Sequence, residues 1–236
     1  GIAADWNDAQ LVAALRAGFV DDNPLSDVTL PLVAIHSGRK ASTLLRRAFG
    51  QLDIEDLPLP FFCVSSDLTN GVLHVHDRGR VWLALRASTA IPGVVPPLFH
   101  NHRVLVDGGV LDNLPVAEMR RRLGGEIIAV DVGGNYRIET DLEEAALPSW
   151  WRQILLQWRK RRYPSIAQLM WRAVMVNSDA TSARQRRQSS LLLKPDLSGT
   201  DLFDWQQFDH IMQLGYEHAL QHMGAIQSMF ASQAPD

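Results

Sequence analysis

One short run in the chain has the residue types for proton chemistry. Leu105-Val106-Asp107-Gly108-Gly109-Val110 ends an apolar stretch on an aspartate and follows it with two glycines. Glycine opens backbone angles closed to other residues and leaves room beside a carboxylate. A carboxylate held there can take a proton from a nucleophile within hydrogen-bond reach. On these residues alone a plain turn is the simpler reading, because Asp-Gly is common in hairpins.

Other groups read more simply as structure. His74 and His76 alternate on an expected strand, but no third or fourth ligand lies nearby, so a hairpin surface is preferred and no metal is expected. Asp131 precedes Gly133-Gly134 without any phosphate-loop pattern and is read as a strand terminus. Asp67, Asp112 and Asn113 should order turns and cap a helix near Pro115. Cys63 sits in an apolar stretch and should be inert core. Ser42, Ser65, Ser66 and Ser88 lack the flanking glycines of a strained nucleophile turn, and no Gly-x-Ser-x-Gly occurs in the 236 residues.

These residues need a scaffold, and the pattern supplies one. Apolar spacing predicts a helix from about residue 8 to 19 with Gly18 as its stop, and an extended apolar run over 30–35. Ser37 should cap a helix over 39–49 that Gly50 closes. A buried strand is expected over 60–64, then an Asn70-Gly71 hairpin turn and a returning strand over 72–76. A short helix over 81–87 should precede an irregular path forced by Pro92, Pro96 and Pro97. Strands over 103–106 and 126–132 flank a helix over 116–123. Beyond residue 134 helical spacing dominates, with one short strand at 191–193 and a helix over 204–222. Strands alternating with helices indicate an α/β protein with a parallel component.

Apolar residues make up 46% and charged residues 21%, with a formal charge of -3. That is an ordinary globular composition with no call for nucleic acid. The single cysteine rules out an internal disulfide and suits a reducing compartment. No apolar run reaches membrane-span length, and no basic region precedes an apolar core at the N-terminus. The start at Gly1 reads like the inside of an ordered element, as in a fragment or processed product.

Several stretches in order resemble one family. They are Ile54-Glu55-Asp56-Leu57, then 61–68 (Phe61-Phe62-Cys63 to Asp67-Leu68), then Arg86-Ala87-Ser88-Thr89-Ala90-Ile91-Pro92-Gly93, and then Asp107-Gly108-Gly109 through Asn113-Leu114-Pro115-Val116. Thr29-Leu30-Pro31, Gly38-Arg39 and Gly215-Tyr216 add to the set. Together they resemble the patatin-like phospholipases, most closely the neuropathy-target-esterase branch. The resemblance implies a three-layer α/β fold with a mainly parallel sheet, incomplete here at its N-terminal side. It implies one partial catalytic domain over 1–236, with an α/β part over 1–134 and a mainly helical part over 135–236.

The resemblance also implies a mechanism. A serine in a Gly-x-Ser-x-Gly turn attacks an ester carbonyl, and the aspartate of the Asp-Gly-Gly motif activates it without histidine or cofactor. Asp107 matches that aspartate, and Gly108 and Gly109 match its turn. The serine and its glycine-rich oxyanion loop lie upstream in the family, so the chain by itself is expected to be inactive. The implied substrate is a phospholipid or lysophospholipid ester. The implied setting is intracellular, in the cytoplasm or peripheral on the cytoplasmic face of a membrane. A missing N-terminal segment or a second chain should complete the sheet, because apolar strands such as 126–132 would otherwise present an edge.

Residues 145–178 hold no acidic side chain. Trp150, Trp151 and Trp158 interleave there with Arg159, Lys160, Arg161 and Arg162, a mixture suited to a membrane–water boundary. A core-packed helix with solvated arginines fits equally well. The rival to a hydrolase is a non-catalytic lipid- or protein-binding module that kept the fold and lost the dyad.

Overall fold

The computed structural model describes residues 1–30, 33–133, 166–200 and 205–231. Helices and strands alternate along them: α1 (Asp8–Leu15), α2 (Arg39–Phe49), β1 (Cys63–Asp67), β2 (Val72–His76), α3 (Val81–Ser88), β3 (Leu98–His100), β4 (Arg103–Asp107), α4 (Val116–Leu123), β5 (Ile128–Val130), α5 (Ile166–Arg186), β6 (Leu191–Leu193), α6 (Phe208–Gln221) and α7 (Met223–Ala231). The α/β class therefore stands. Among the described residues no helix is long and apolar enough to cross a membrane.

The expectation of a mainly parallel sheet does not hold for the described residues. The larger sheet runs β2-β1-β4-β3 and is antiparallel throughout. Its turns are the reason. Gly71, with φ 69°, closes the β1–β2 hairpin, while Asn101 and His102, with φ 49° and 59°, close β3–β4. Links this short, four residues over 68–71 and two over 101–102, can only return a chain antiparallel. Parallel pairing occurs between β5 and β6, where α5 lies in the crossover.

Two clusters form the core. Ile54, Val81 and Ala84 pack with Phe49, Leu52, Leu57, Phe61 and Leu85 where α2 lies against α3 and α3 against β1. Leu114, Val116, Ile127 and Ala129 pack with Met119 and Leu192, seating α4 on the β5–β6 pair.

Local chemistry sets the element ends. Asn7 and Gln10 form a reciprocal capping box at the start of α1. Gly18 does not stop that helix, which continues through a π-helical turn over Arg16–Asp21. The glycine is needed for contact instead: a Cβ there would stand 2.8 Å from Leu44 of α2. Gly38, with φ 72°, precedes α2, whose first amides go to two side chains. Arg39 N–H donates to Ser37 Oγ at 3.3 Å and Lys40 N–H to Asp27 Oδ2 at 3.2 Å. Of the apolar run over 30–35, residues 31 and 32 lie outside the described residues. Val28 and His36 make a single antiparallel bridge, and Leu30, Val33 and Ile35 face outward.

The expected 126–132 strand shortens to Ile128–Val130. Its pairing is to β6, and Val130 and Val132 are exposed. Helix α5 is latched to this region. Gln185 is buried; its Oε1 accepts from Ala117 N–H at 2.9 Å and its Nε2 donates to Asp112 Oδ2 at 2.8 Å. Arg186 Nε donates to buried Asp131 Oδ2 at 2.6 Å, with Lys194 Nζ 3.8 Å from the same oxygen.

Removing one partner of a buried ion pair strands the other charge. Arg186→Met is therefore expected to lower unfolding free energy by about 2 kcal/mol, less than a fully buried pair because Lys194 remains close. The shift in urea midpoint at constant slope checks this.

Candidate active site

Asp107 closes β4, and three contacts hold it there. Its Cα lies opposite Ser65 of β1 in the antiparallel register. Its N–H donates to the Ala90 carbonyl at 3.0 Å. Its Oδ1 accepts from Gly109 N–H at 2.7 Å, which caps a short 3-10 turn over Gly108–Val110. Its Oδ2 has no hydrogen-bond partner among the described residues.

The glycine after it answers a steric demand. A Cβ on Gly108 would stand 2.4 Å from the Val64 carbonyl oxygen and 2.8 Å from Val64 Cγ2. The backbone can lie on β1 only because that atom is missing. The Gly108 carbonyl then accepts from Ser66 Oγ at 3.4 Å, Leu111 N–H at 3.1 Å and Asp112 N–H at 3.0 Å. A Cβ on Gly109 would stand 3.0 Å from Asp107 Oδ1 and equally near Asn113 Oδ1. The motif's two glycines thus serve close approach, one to a neighbouring strand and one to the carboxylate.

Burial pushes the Asp107 carboxyl up to about 6, and the single Gly109 N–H offsets this only in part. A group poised near neutrality can both accept and return a proton. Asp112, five residues on, is also raised by burial, but Leu114 N–H and the Gln185 amide occupy both of its oxygens.

The remaining candidates have structural roles. Asp67 accepts from Thr69 N–H, Asn70 N–H and the Asn70 amide, which orders the hairpin turn and lowers its pKa. Asp131 accepts from Gly133 N–H at 2.9 Å beside its ion pair with Arg186. His74 and His76 are half-buried, not on an open hairpin surface, and their rings meet edge-on at 4.6 Å. His74 Nδ1 accepts from Arg103 at 2.8 Å, and His76 Nε2 bonds Ser65 Oγ at 2.8 Å. Burial, helped by neighbouring His74, holds His76 down to about 4. Cys63 is pushed up to about 12 by burial, so its thiol stays protonated. Among the described residues no group of three or more His, Cys, Asp or Glu is placed to hold a metal ion.

Sequence reasoning missed the parts that hold Asp107 from a distance. Val64, Ala90 and Gln185 carry no chemistry of their own. Gln185 lies 73 residues from Asp112 and gives no local signal. Trp150, Trp151, Trp158, Arg159, Lys160, Arg161 and Arg162 lie outside the described residues.

Gly108→Ala is expected to lower stability by about 1–3 kcal/mol, because the clash is with backbone that cannot swing away. Equilibrium unfolding of the variant checks this.

The profile of the patatin-like phospholipase family matches residues 4–120. An NTE family protein of Mycobacterium bovis is 31% identical over 217 residues, which is 91% of this chain and 37% of that protein. Lysophospholipase NTE1 of Meyerozyma guilliermondii is 30% identical, and that of Candida albicans 32%, each over 200 residues, 83% of this chain and 14% of theirs. The chain thus spans between about a seventh and two-fifths of these relatives' lengths. On these matches, with an Asp-Gly-Gly turn closing β4, the chain belongs to the patatin-like phospholipase family, in the branch whose members carry the NTE name.

Proposed function

We propose that this chain supplies the base of a serine–aspartate site that hydrolyses carboxylic esters of phospholipids or lysophospholipids. The observation that carries the reading is the buried Asp107 carboxyl, raised to about 6, with one oxygen fixed by Gly109 and the other left unpaired among the described residues. The printed name of the NTE1 relatives, lysophospholipase, supports the substrate class.

The chemistry runs as two acyl transfers. Asp107 takes the proton of a serine hydroxyl as that oxygen attacks the ester carbonyl carbon. The tetrahedral intermediate collapses, and the departing alcohol carries the proton away. Water then attacks the acyl-serine while Asp107 takes its proton, and collapse releases the fatty acid and returns the proton to serine. No metal or organic cofactor is required for these steps. No Gly-x-Ser-x-Gly lies in these 236 residues, so the serine comes from outside them, and the chain alone is expected to be inactive. A segment or second chain bringing that serine would also pair with β5 and extend its parallel sheet toward the three-layer arrangement of the family. Peripheral membrane contact through Trp150, Trp151, Trp158 and Arg159 to Arg162 belongs to the same proposal.

In the intact protein, Asp107→Asn is expected to lower kcat for lysophospholipid hydrolysis on the order of 10³-fold with little change in KM. Unchanged turnover would remove Asp107 from the mechanism. For the native protein, kcat should rise with pH through about 6 as the carboxyl ionises.

Stability carries an independent signature. The folded pKa, about 6, lies above the ordinary value of 3.8, so the folded state grips the proton more tightly. Its contribution is fully present below pH 3.8 and is lost as pH rises through about 6, on the order of 3 kcal/mol in all. Asp107→Asn, which cannot ionise, should exceed the native protein in stability by that order above pH 6 and lose its advantage below pH 4. Unfolding curves at two pH values decide the matter.

A further inference from the structure

Ser65 stands between the candidate base and a pair of histidines. In the register of the larger sheet its Cα lies opposite Asp107 of β4 on one side and His74 of β2 on the other. Directly opposed residues put their side chains on one face of a sheet, so Ser65, Asp107, His74 and His76 share a face. Asp107 gives its N–H to the Ala90 carbonyl and not to β1. Leu68 N–H donates to the Val104 carbonyl, and pairs alternate in kind along an antiparallel ladder, so Ser65 and Asp107 form a non-hydrogen-bonded pair. Pairs of that kind bring their Cα atoms to about 4.5 Å, with the side chains at their closest.

The Ser65 hydroxyl is nevertheless turned the other way. Ser65 is wholly buried, and its Oγ lies 2.8 Å from His76 Nε2, its one hydrogen-bond partner among the described residues. If Oγ accepted from the ring, its own proton would be left unpaired in the interior, which costs stability. Ser65 therefore donates, and neutral His76 carries its proton on Nδ1. The surroundings keep the ring neutral. Burial, with His74 and His100, holds His76 down to about 4 against the pull of Asp77.

Other charges on this face and around it are engaged elsewhere. Arg103 bonds His74 and stands 3.6 Å from Asp67, while Asp77 is held by Arg122 of α4. The Cys63 thiol on β1 stays protonated, and Arg86 of α3 donates to the Pro96 carbonyl. Asp112 is occupied by Leu114 N–H and the Gln185 amide.

We propose that His76 is a positioning residue for Asp107: it holds the Ser65 hydroxyl on the β2 side of the sheet and so withholds a hydrogen bond from the carboxylate across the strand. A turn about one staggered χ1 would carry Oγ from the β2 side to the β4 side. A hydroxyl donated to a carboxylate favours the charged form and weakens it as a base. With the ring in place, Gly109 N–H is the carboxyl's one donor among the described residues. The use made of that basicity rests on the ester-hydrolysis reading, but the restraint on Ser65 does not.

The test uses the intact protein with His76→Leu, with Ser65→Ala, and with both. Each is compared with the same protein carrying Asp107→Asn, and the difference in unfolding free energy is followed against pH. That difference grows as pH rises through the folded pKa of Asp107, so it reports the carboxyl without reference to turnover. The native midpoint is expected at about 6. His76→Leu frees the hydroxyl and should lower the midpoint by about one pH unit. Ser65→Ala alone should leave it near 6, and Ser65→Ala added to His76→Leu should bring it back to about 6. A purely structural His76 would give a change that Ser65→Ala cannot reverse. His76→Phe, which keeps a ring without an acceptor, repeats the measurement should the leucine variant not fold. The rising limb of kcat against pH should move in the same order. Midpoints that move as expected while kcat ignores them support the restraint and sink the esterase reading alone. A midpoint unmoved by removal of the His76 ring, or moved and not restored in the double variant, overturns the proposal.

Discussion

Taking a carboxyl group out of water weakens its charged form unless hydrogen bonds replace the lost solvent, and Asp107 receives one N–H where bulk water would give several. The arrangement around it keeps that shortage in place. Gly108 lies against the Val64 carbonyl, an approach that a Cβ at this position would block. The Ala90 carbonyl fixes the Asp107 amide from one side, and β1 fixes its strand from another. The raised carboxyl weakens the folded state once it ionises.

Comparison among the acidic side chains shows how much environment decides. Asp67 is wholly buried, yet it collects three donors from Thr69 and Asn70 and stands 3.6 Å from Arg103, so its charged form is favoured. Asp131 has Arg186, Lys194 and a backbone amide. Asp112 shares the upward shift of Asp107, but both of its oxygens hold chain together. Among the described residues, only Asp107 of these four combines weak compensation with an oxygen that has no hydrogen-bond partner. Residue type and an Asp-Gly neighbour could not separate them, since all four sit at or beside strand ends or turns.

What was legible in the sequence was local. Helix α2 is found over 39–49 because Gly50 closes a regular apolar spacing, α4 over 116–123 because Pro115 precedes it and Gly124 follows it, and the β1–β2 hairpin because Asn70-Gly71 permits one tight return. Where two principles competed, sequence reasoning chose the wrong one. Pro96 and Pro97 concealed β3, which begins immediately after them, and Asn101-His102 is a left-handed pair without the usual glycine. The run over 30–35 reads as extended and apolar, but composition does not say whether another element covers Leu30, Val33 and Ile35, which are exposed. Gly18 was legible as a helix stop, yet it is a contact surface for Leu44, a partner 26 positions away. The candidate base itself was recoverable from Asp107-Gly108-Gly109 in its ordered company, while its supports were not, because Val64 and Gln185 act through distance and shape.

Those distant supports change where the site can be said to end. The family profile stops at residue 120, and the chemistry-bearing motif stops earlier still. Gln185 and Arg186 are neighbours on α5, and they hold Asp112 and Asp131, which end the Asp107 turn and strand β5 respectively. Gln185 also satisfies Ala117 N–H, one of the first-turn amides of α4 that has no partner within its own helix. Two adjacent polar side chains thus serve as a single fastening between the turn after Asp107, the start of α4 and the end of β5. Helix α5 is thereby part of what fixes the turn that follows Asp107.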